Sequence, residues 1–156
     1  MDDVERAGPL GFDVRRKRKT DMPDKRSEDV RAVIPMLVCL DAASEIDFCK
    51  TAFDAVELSR RSGPDGNVVH ATLRIGEAIV MVHGEYPALA SRAPQSDGSS
   101  SVVIYLYVKD ADIVIERAVF AGARVLIAAT DQFWGDRVGR IIDPSGHVWN
   151  VAARVE

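Results

Sequence analysis

Residues 132–150 read QFWGDRVGRIIDPSGHVWN, and this stretch decides the fold. The tetrapeptide at 143–146, Asp-Pro-Ser-Gly, has the composition of a tight turn and joins two short apolar runs. Gly135 and Gly139 are expected to supply the backbone freedom that such a hairpin requires. The stretch therefore predicts a β-hairpin near the end of the chain.

Hydrophobic periodicity predicts one element order that occurs twice: a strand, a helix and three more strands. Asp41 and Asp110 stand where helix N-caps are expected, and Gly122 is expected to end the second helix. The two β-α-β-β-β units cover residues 32–86 and 101–154, with a Pro- and Ser-rich linker over 87–100. The predicted strands are 33–40, 56–60, 68–75, 78–83, 102–108, 123–128, 137–142 and 148–153. The predicted fold class is α+β.

The composition is typical of a single-domain protein and disfavours nucleic-acid-binding, membrane-spanning and exported proteins. The chain has 156 residues, which suits one domain, and a net charge of −4, which disfavours nucleic-acid binding. No apolar run approaches the length of a membrane span, and residues 1–31 carry no apolar signal segment. With only Cys39 and Cys49 and no export signal, we expect reduced thiols in the cytoplasm.

Residues 1–31 are rich in both charge signs and poor in large apolar side chains. This composition predicts a disordered charged tail. The basic run at 15–19, RRKRK, leaves open a contact with phosphates or anionic lipid.

The hairpin that ends in Asp143-Pro144-x-Gly146-His147-x-Trp149 resembles the last hairpin of the vicinal oxygen chelate superfamily. That superfamily holds glyoxalases, bleomycin-resistance proteins and extradiol dioxygenases, and the variant here is most similar to the PhnB-like group. The resemblance spans about residues 32–154. It implies paired β-α-β-β-β units that form a curved mixed sheet around a central cleft.

The resemblance also implies where a divalent metal would bind, with one ligand on each of four inward strands. Those positions fall at Ile34, Met81, Val103 and Asn150. Two of these side chains have no donor atom, and a thioether suits soft metals. A register slip of one residue brings no better ligands, and a slip of two brings only His83 inward. We therefore expect no metal and no cofactor in the cleft.

Strand alternation predicts a mostly apolar concave wall with a few polar groups, which is typical of a small-molecule pocket. The alternative is that these side chains fill a closed barrel core. The predicted ligand-binding residues are Met36, His70, Met81, His83, Val103, Tyr105, Tyr107, Trp134, Arg137 and Asn150.

Trp134 and Arg137 are expected at the mouth of the cleft, where they would stack on a flat or anionic ligand. The alternative for Arg137 is an ion pair with Asp136 or Asp143 that fixes the hairpin, and for Arg140 this ion pair is the expected role. Trp149 alternates away from Asn150 and is expected to pack under a helix.

His70 and His83 each have a functional and a structural interpretation, and the functional one is stronger for His70. His70 is the candidate catalytic residue, as a base or a hydrogen-bond donor to a ligand, or else a strand histidine bonded to neighbouring backbone. His147 is expected to stabilise the turn that precedes it.

The sequence favours a metal-free protein that binds a small, partly apolar or aromatic molecule and sequesters it. The alternative is a glyoxalase-like lyase or isomerase, or another enzyme of the vicinal oxygen chelate type, so whether the protein is an enzyme stays open. Each unit leaves sheet edges and an apolar face uncovered, which predicts a homodimer or, alternatively, closure of the two units on each other.

Overall fold

The computed structural model describes residues 33–95 and 99–155. The predicted charged tail over 1–31, with its basic run, lies outside these residues. Within them, no helix is long and apolar enough to cross a membrane.

The first unit contains β1 (Met36–Cys39), α1 (Ala42–Phe53), β2 (Val56–Ser62), β3 (Val68–Ile75) and β4 (Ala78–Gly84). Its four strands form one sheet in the order β1-β4-β3-β2. The strand β1 pairs with β4 in parallel, and the other pairs are antiparallel. The crossover from β1 to the far edge runs through α1, as the predicted order requires.

The second unit repeats this arrangement with β5 (Val103–Tyr107), α2 (Ala111–Phe120), β6 (Arg124–Asp131), β7 (Asp136–Ile142) and β8 (Val148–Arg154). Its sheet has the order β5-β8-β7-β6, with β5 and β8 parallel. The predicted linker contains a short 3-10 helix at Pro87–Leu89. The expected α+β fold of two β-α-β-β-β units, with two mixed sheets, is confirmed.

Both helices begin where the sequence predicts. The Asp41 carboxylate accepts hydrogen bonds from the backbone N–H groups of Ala43 and Ser44, at 3.0 and 3.1 Å. The Asp110 carboxylate accepts one from Ile113 at 3.0 Å. These caps satisfy donors that the first turn of a helix leaves without a partner.

The two units share one apolar core, because each helix packs on its own sheet and the helices also contact each other. Trp149 of β8 lies at this junction, fully buried, with its ring centroid 4.7 Å from that of Phe53 in α1. The expectation that Trp149 packs under a helix is confirmed. Among the strands that the structure describes, none of the first sheet contacts a strand of the second. Each sheet therefore turns its other face away from this core.

Gly135 and Gly139 have different structural roles. Gly135 has a φ of 91° in the turn between β6 and β7, as expected. Gly139 lies inside β7 and not in a turn, so that part of the prediction is wrong. A Cβ at position 139 would stand 2.5 Å from Ile115 Cδ1 and 3.1 Å from the backbone N of Ala129. Glycine is needed there because α2 and β6 approach β7 closely.

Candidate functional site

A cavity of about 310 Å³ opens on the face of the second sheet that points away from α2. Its lining combines aromatic and aliphatic side chains with one guanidinium and two amides. Such a mixture is typical of small-molecule sites. The lining residues are Tyr105, Ile127, Gln132, Trp134, Val138, Gly139, Arg140 and Asn150.

Arg140 and Asn150 lie side by side in this cavity because of the turn at 143–146. The turn sets Ile142 opposite Val148, and the antiparallel register then pairs Arg140 with Asn150. The Arg140 Nε–H donates to Asn150 Oδ1 at 2.8 Å. The expected ion pair of Arg140 with Asp136 or Asp143 is therefore replaced by a bond to a neutral amide.

Arg137 is not in the cavity, contrary to the expectation that it lies at the mouth. It points to the helix side of β7, where Nε is 2.6 Å from Asp112 Oδ2 of α2 and Nη1 is 2.9 Å from Asp131 Oδ1. The reason is strand alternation, since Arg137 shares the parity of the buried Ile141. The sequence carried this signal, and the same alternation places Arg140 on the cavity side.

Trp134 is held in place by a buried carboxylate. Asp136 is 1% exposed, and its Oδ2 accepts hydrogen bonds from Tyr107 Oη at 2.7 Å and from Trp134 Nε1 at 3.2 Å. Its Oδ1 lies 3.0 Å from Arg154 Nη1. Trp134 is still 50% exposed, so part of this held side chain remains accessible to a ligand.

The other predicted ligand-binding residues of the second unit lie near this cavity. Tyr105 lines it, and Val103 and Tyr107 lie on the same strand, two residues before and after Tyr105. Strand alternation places all three side chains on one face. The Tyr105 and Tyr107 rings have centroids 5.3 Å apart.

Met36, His70, Met81 and His83 lie on the first sheet. The strand register pairs Met36 with Met81 and His70 with His83. None of these four lines the cavity of the second sheet. The single wall that the sequence predicts is thus divided between two sheets that do not touch within residues 33–95 and 99–155.

The environment of His70 favours its neutral form. Burial and then the charge of Arg61 lower the pKa of His70 below its ordinary value. Burial and then His70 lower the pKa of His83, whose ring also stacks on Tyr86 with centroids 5.9 Å apart. A neutral imidazole can act as a base or an acceptor near neutral pH.

The four positions at which the resemblance implies metal ligands do not fit a divalent ion. Ile34 and Val103 have no donor atom, and Met81 offers only a thioether. The side-chain oxygen of Asn150 accepts from Arg140, a cation. Moreover, Met81 and Asn150 belong to different sheets.

A second group of polar side chains lies on the opposite side, buried between α1 and the turn before β8. Donor atoms of Cys39, Glu45 and His147 all lie within 4.8 Å of one another. Glu45 is 1% exposed, and its Oε2 has no hydrogen-bond partner among the described residues. Its Oε1 accepts from Cys49 Sγ at 3.5 Å.

Both ring nitrogens of His147 have hydrogen-bonding partners in this group. Its Nδ1 is 3.2 Å from the Asp143 carboxylate and its Nε2 is 3.1 Å from the Val38 carbonyl oxygen, and both partners accept. Burial alone would lower the pKa of His147, but the hydrogen bond and charge of Asp143, with Glu45, raise it overall. Asp143 Oδ1 also accepts from the His147 backbone N–H at 2.8 Å. The turn-stabilising role expected for His147 is confirmed, and both ring nitrogens are engaged.

Comparison with known proteins agrees with this architecture. The model of the glyoxalase/bleomycin resistance protein/dioxygenase superfamily matches residues 31–151. An uncharacterized protein of Mycobacterium bovis is 48% identical over 127 residues, which cover 80% of this chain and 84% of that protein.

Two solved structures illustrate the shared fold. TioX from Micromonospora sp. ML1 is similar with a TM-score of 0.62 at 26% identity, over 78% of this chain and 97% of TioX. The fosfomycin resistance protein FosX from Mesorhizobium loti has a TM-score of 0.58 at 15% identity, over 81% and 93% of the two chains. At that identity the second likeness concerns the fold alone. Because the family model spans both β-α-β-β-β units, the chain belongs to the glyoxalase/bleomycin resistance protein/dioxygenase superfamily.

Proposed function

We propose that this protein binds a small, partly apolar or aromatic molecule without a metal ion and sequesters it. The observation that carries the proposal is the cavity of about 310 Å³ on the second sheet, with its fixed indole and apolar walls. Its volume is at the lower end of the range for ligand sites. The superfamily to which the chain belongs includes resistance proteins, which is consistent with a binding role.

The metal-free part of the proposal rests on Ile34, Met81, Val103 and Asn150. Elemental analysis of the full chain after mild purification is expected to find well under one equivalent of zinc, nickel, manganese or iron. Asn150→Ala is expected to leave that content unchanged. Near one equivalent per chain that Asn150→Ala removes would contradict metal-free binding.

Sequestration predicts that a bound molecule leaves the protein unchanged. Native mass spectrometry of the full chain, mixed with a panel of aromatic compounds, is expected to show complexes with one ligand per cavity. Chemical analysis of the released ligand should return the compound that was added. A product that accumulates over many turnovers would contradict sequestration and favour a lyase or isomerase.

The enzyme alternative depends on His70, whose lowered pKa suits a general base. His70 lies on the first sheet and does not line the cavity. A second copy that places its first sheet against this cavity would bring the two together. The alternative therefore depends on a homodimer, and turnover that disappears in His70→Ala would support it.

The homodimer, the cytoplasmic setting and the PhnB-like group are parts of this proposal. In the part of the chain that the structure describes, the two sheets do not contact each other, which supports the homodimer over intramolecular closure. Cys39 and Cys49 are buried free thiols, which is typical of a reducing compartment.

A further inference from the structure

Arg140 brings a positive charge into the cavity without a neutralising acid. Its single hydrogen bond among the described residues is to the neutral side chain of Asn150. No carboxylate of the described part of the chain lies within ion-pair distance of it, whereas Arg137 on the other face of the same strand has two. The carboxylate of Asp136 accepts hydrogen bonds from Tyr107 and Trp134 and forms an ion pair with Arg154 instead of with Arg140.

The two polar side chains leave a set of donors facing the cavity. The guanidinium of Arg140 keeps its two terminal nitrogens for another partner, since Nε makes the bond to Asn150. Asn150 accepts through Oδ1, so its amide N–H groups are available as donors. A planar fork of N–H donors matches the geometry of a carboxylate.

The remaining walls match a flat ring. The Trp134 indole is held by its bond to Asp136, and it lies nearly perpendicular to the Phe133 ring, with centroids 5.0 Å apart. Tyr105 and the aliphatic side chains of Ile127 and Val138 complete the apolar lining. A rigid aromatic surface favours stacking because little side-chain entropy is lost on binding.

We propose that the ligand of this cavity is a flat aromatic acid, whose carboxylate binds Arg140 and Asn150 and whose ring lies against Trp134. This inference rests on the proposed function, because it specifies the ligand of the same site. It adds a negative charge to a ligand that the proposed function describes only as apolar or aromatic.

Isothermal titration calorimetry on the full chain tests the inference with a matched pair of probes, 2-naphthoate and 2-naphthamide. The two have the same ring system and differ in charge. We expect the carboxylate to bind about 10- to 100-fold more tightly than the amide, as charge-assisted hydrogen bonds contribute. Cyclohexanecarboxylate, which keeps the charge without the aromatic ring, is expected to bind at least about 10-fold more weakly than 2-naphthoate.

Two arginine variants provide the structural control. Arg140→Gln is expected to remove most of the preference for the carboxylate, while its amide can still bond to Asn150. Arg137→Gln removes the same charge from the other face of β7 and is expected to leave the affinity for 2-naphthoate within about twofold of the parent. Circular dichroism confirms that both variants are folded.

Three results would overturn the inference. They are equal affinities for 2-naphthoate and 2-naphthamide, the same loss of affinity in both arginine variants, and no binding of 2-naphthoate at millimolar concentration. If 2-naphthamide binds as well as the acid, the proposed function stands and only the charge assignment fails. If neither probe binds, the inference fails, and native mass spectrometry with the panel of aromatic compounds decides the proposed function separately.

Discussion

Glu45 is a carboxyl group in the apolar core, one turn into α1. The groups that face it are Cys39 of β1, Cys49 of α1, and Asp143, Ser145 and His147 of the turn before β8. Burial, and then the charge of Asp143, raise the pKa of Glu45 to about 8, although Ser145 and His147 lower it. Glu45 is therefore expected to be protonated in the folded protein at neutral pH.

This protonation predicts a loss of stability as pH rises. Below the ordinary glutamate pKa both states hold the proton, so the stability from Glu45 is fully present there. Between pH 4.5 and about 8 the unfolded chain has lost the proton and the folded chain keeps it, so the free energy of unfolding falls. The raised pKa of His147 acts in the same direction. Thermal denaturation is expected to show a Tm lower by about 5 to 10 °C at the alkaline end of this window.

Glu45→Gln keeps the shape and removes the titration, so its Tm is expected to depend much less on pH across the same window. Glu57→Gln is the control, because hydrogen bonds from Arg60 and Lys50 lower the pKa of Glu57 to about 2 and it stays ionised throughout. An unchanged pH dependence in Glu45→Gln would show that Glu45 is already ionised in the folded protein.

At the level of elements, the contact between α2, β6 and β7 depends on Gly139. Gly139→Ala places a Cβ too close to Ile115 and to the Ala129 backbone. Ile115 Cδ1 can move, but a backbone atom at 3.1 Å has less freedom. We expect a destabilisation of about 1 to 3 kcal/mol, measured by urea denaturation.

Two further variants identify the cause of that destabilisation. Gly84→Ala is a strand glycine whose added Cβ would meet its nearest neighbour at 3.9 Å, and it is expected to be nearly neutral. Adding Ile115→Val to Gly139→Ala removes the closest methyl group and is expected to restore part of the stability. No restoration would place the strain at the Ala129 backbone alone.

The same elements show what the sequence could predict. The helix caps, the order of elements and the hairpin turn follow from local patterns, because Asp41, Asp110 and the turn at 143–146 act within a few residues. The face of Arg137 also follows from a local pattern, its parity with Ile141 in the predicted strand 137–142, so the expectation that Arg137 lies at the mouth of the cleft conflicts with that alternation. Local sequence patterns do not predict how α1 packs on α2. The packing of these two helices sets the positions of the two sheets, and therefore whether the sheets contact each other.

At the scale of the whole molecule, each sheet has one face that the other sheet does not cover within residues 33–95 and 99–155. Met36 is 48% exposed on the first sheet, and Val103 and Tyr105 are exposed on the second. Apolar faces of this kind mark association surfaces. Light scattering is therefore expected to give about twice the chain mass of 17.1 kDa at micromolar concentration.

Two lysine substitutions separate a dimer formed through the sheets from one formed through the helices. Val103→Lys adds a charge to the face of the second sheet beside the cavity, so it is expected to shift the scattering mass toward the monomer by weakening association about 10-fold or more. Phe120→Lys changes an exposed side chain at the end of α2 and is expected to leave the dimer intact. Dissociation by Phe120→Lys alone would place the interface on the helices, and a monomeric parent would contradict the dimer altogether. A dimer in which the first sheet of one copy faces the second sheet of the other would also bring His70 toward the cavity lined by Arg140, which His70 does not line within its own chain.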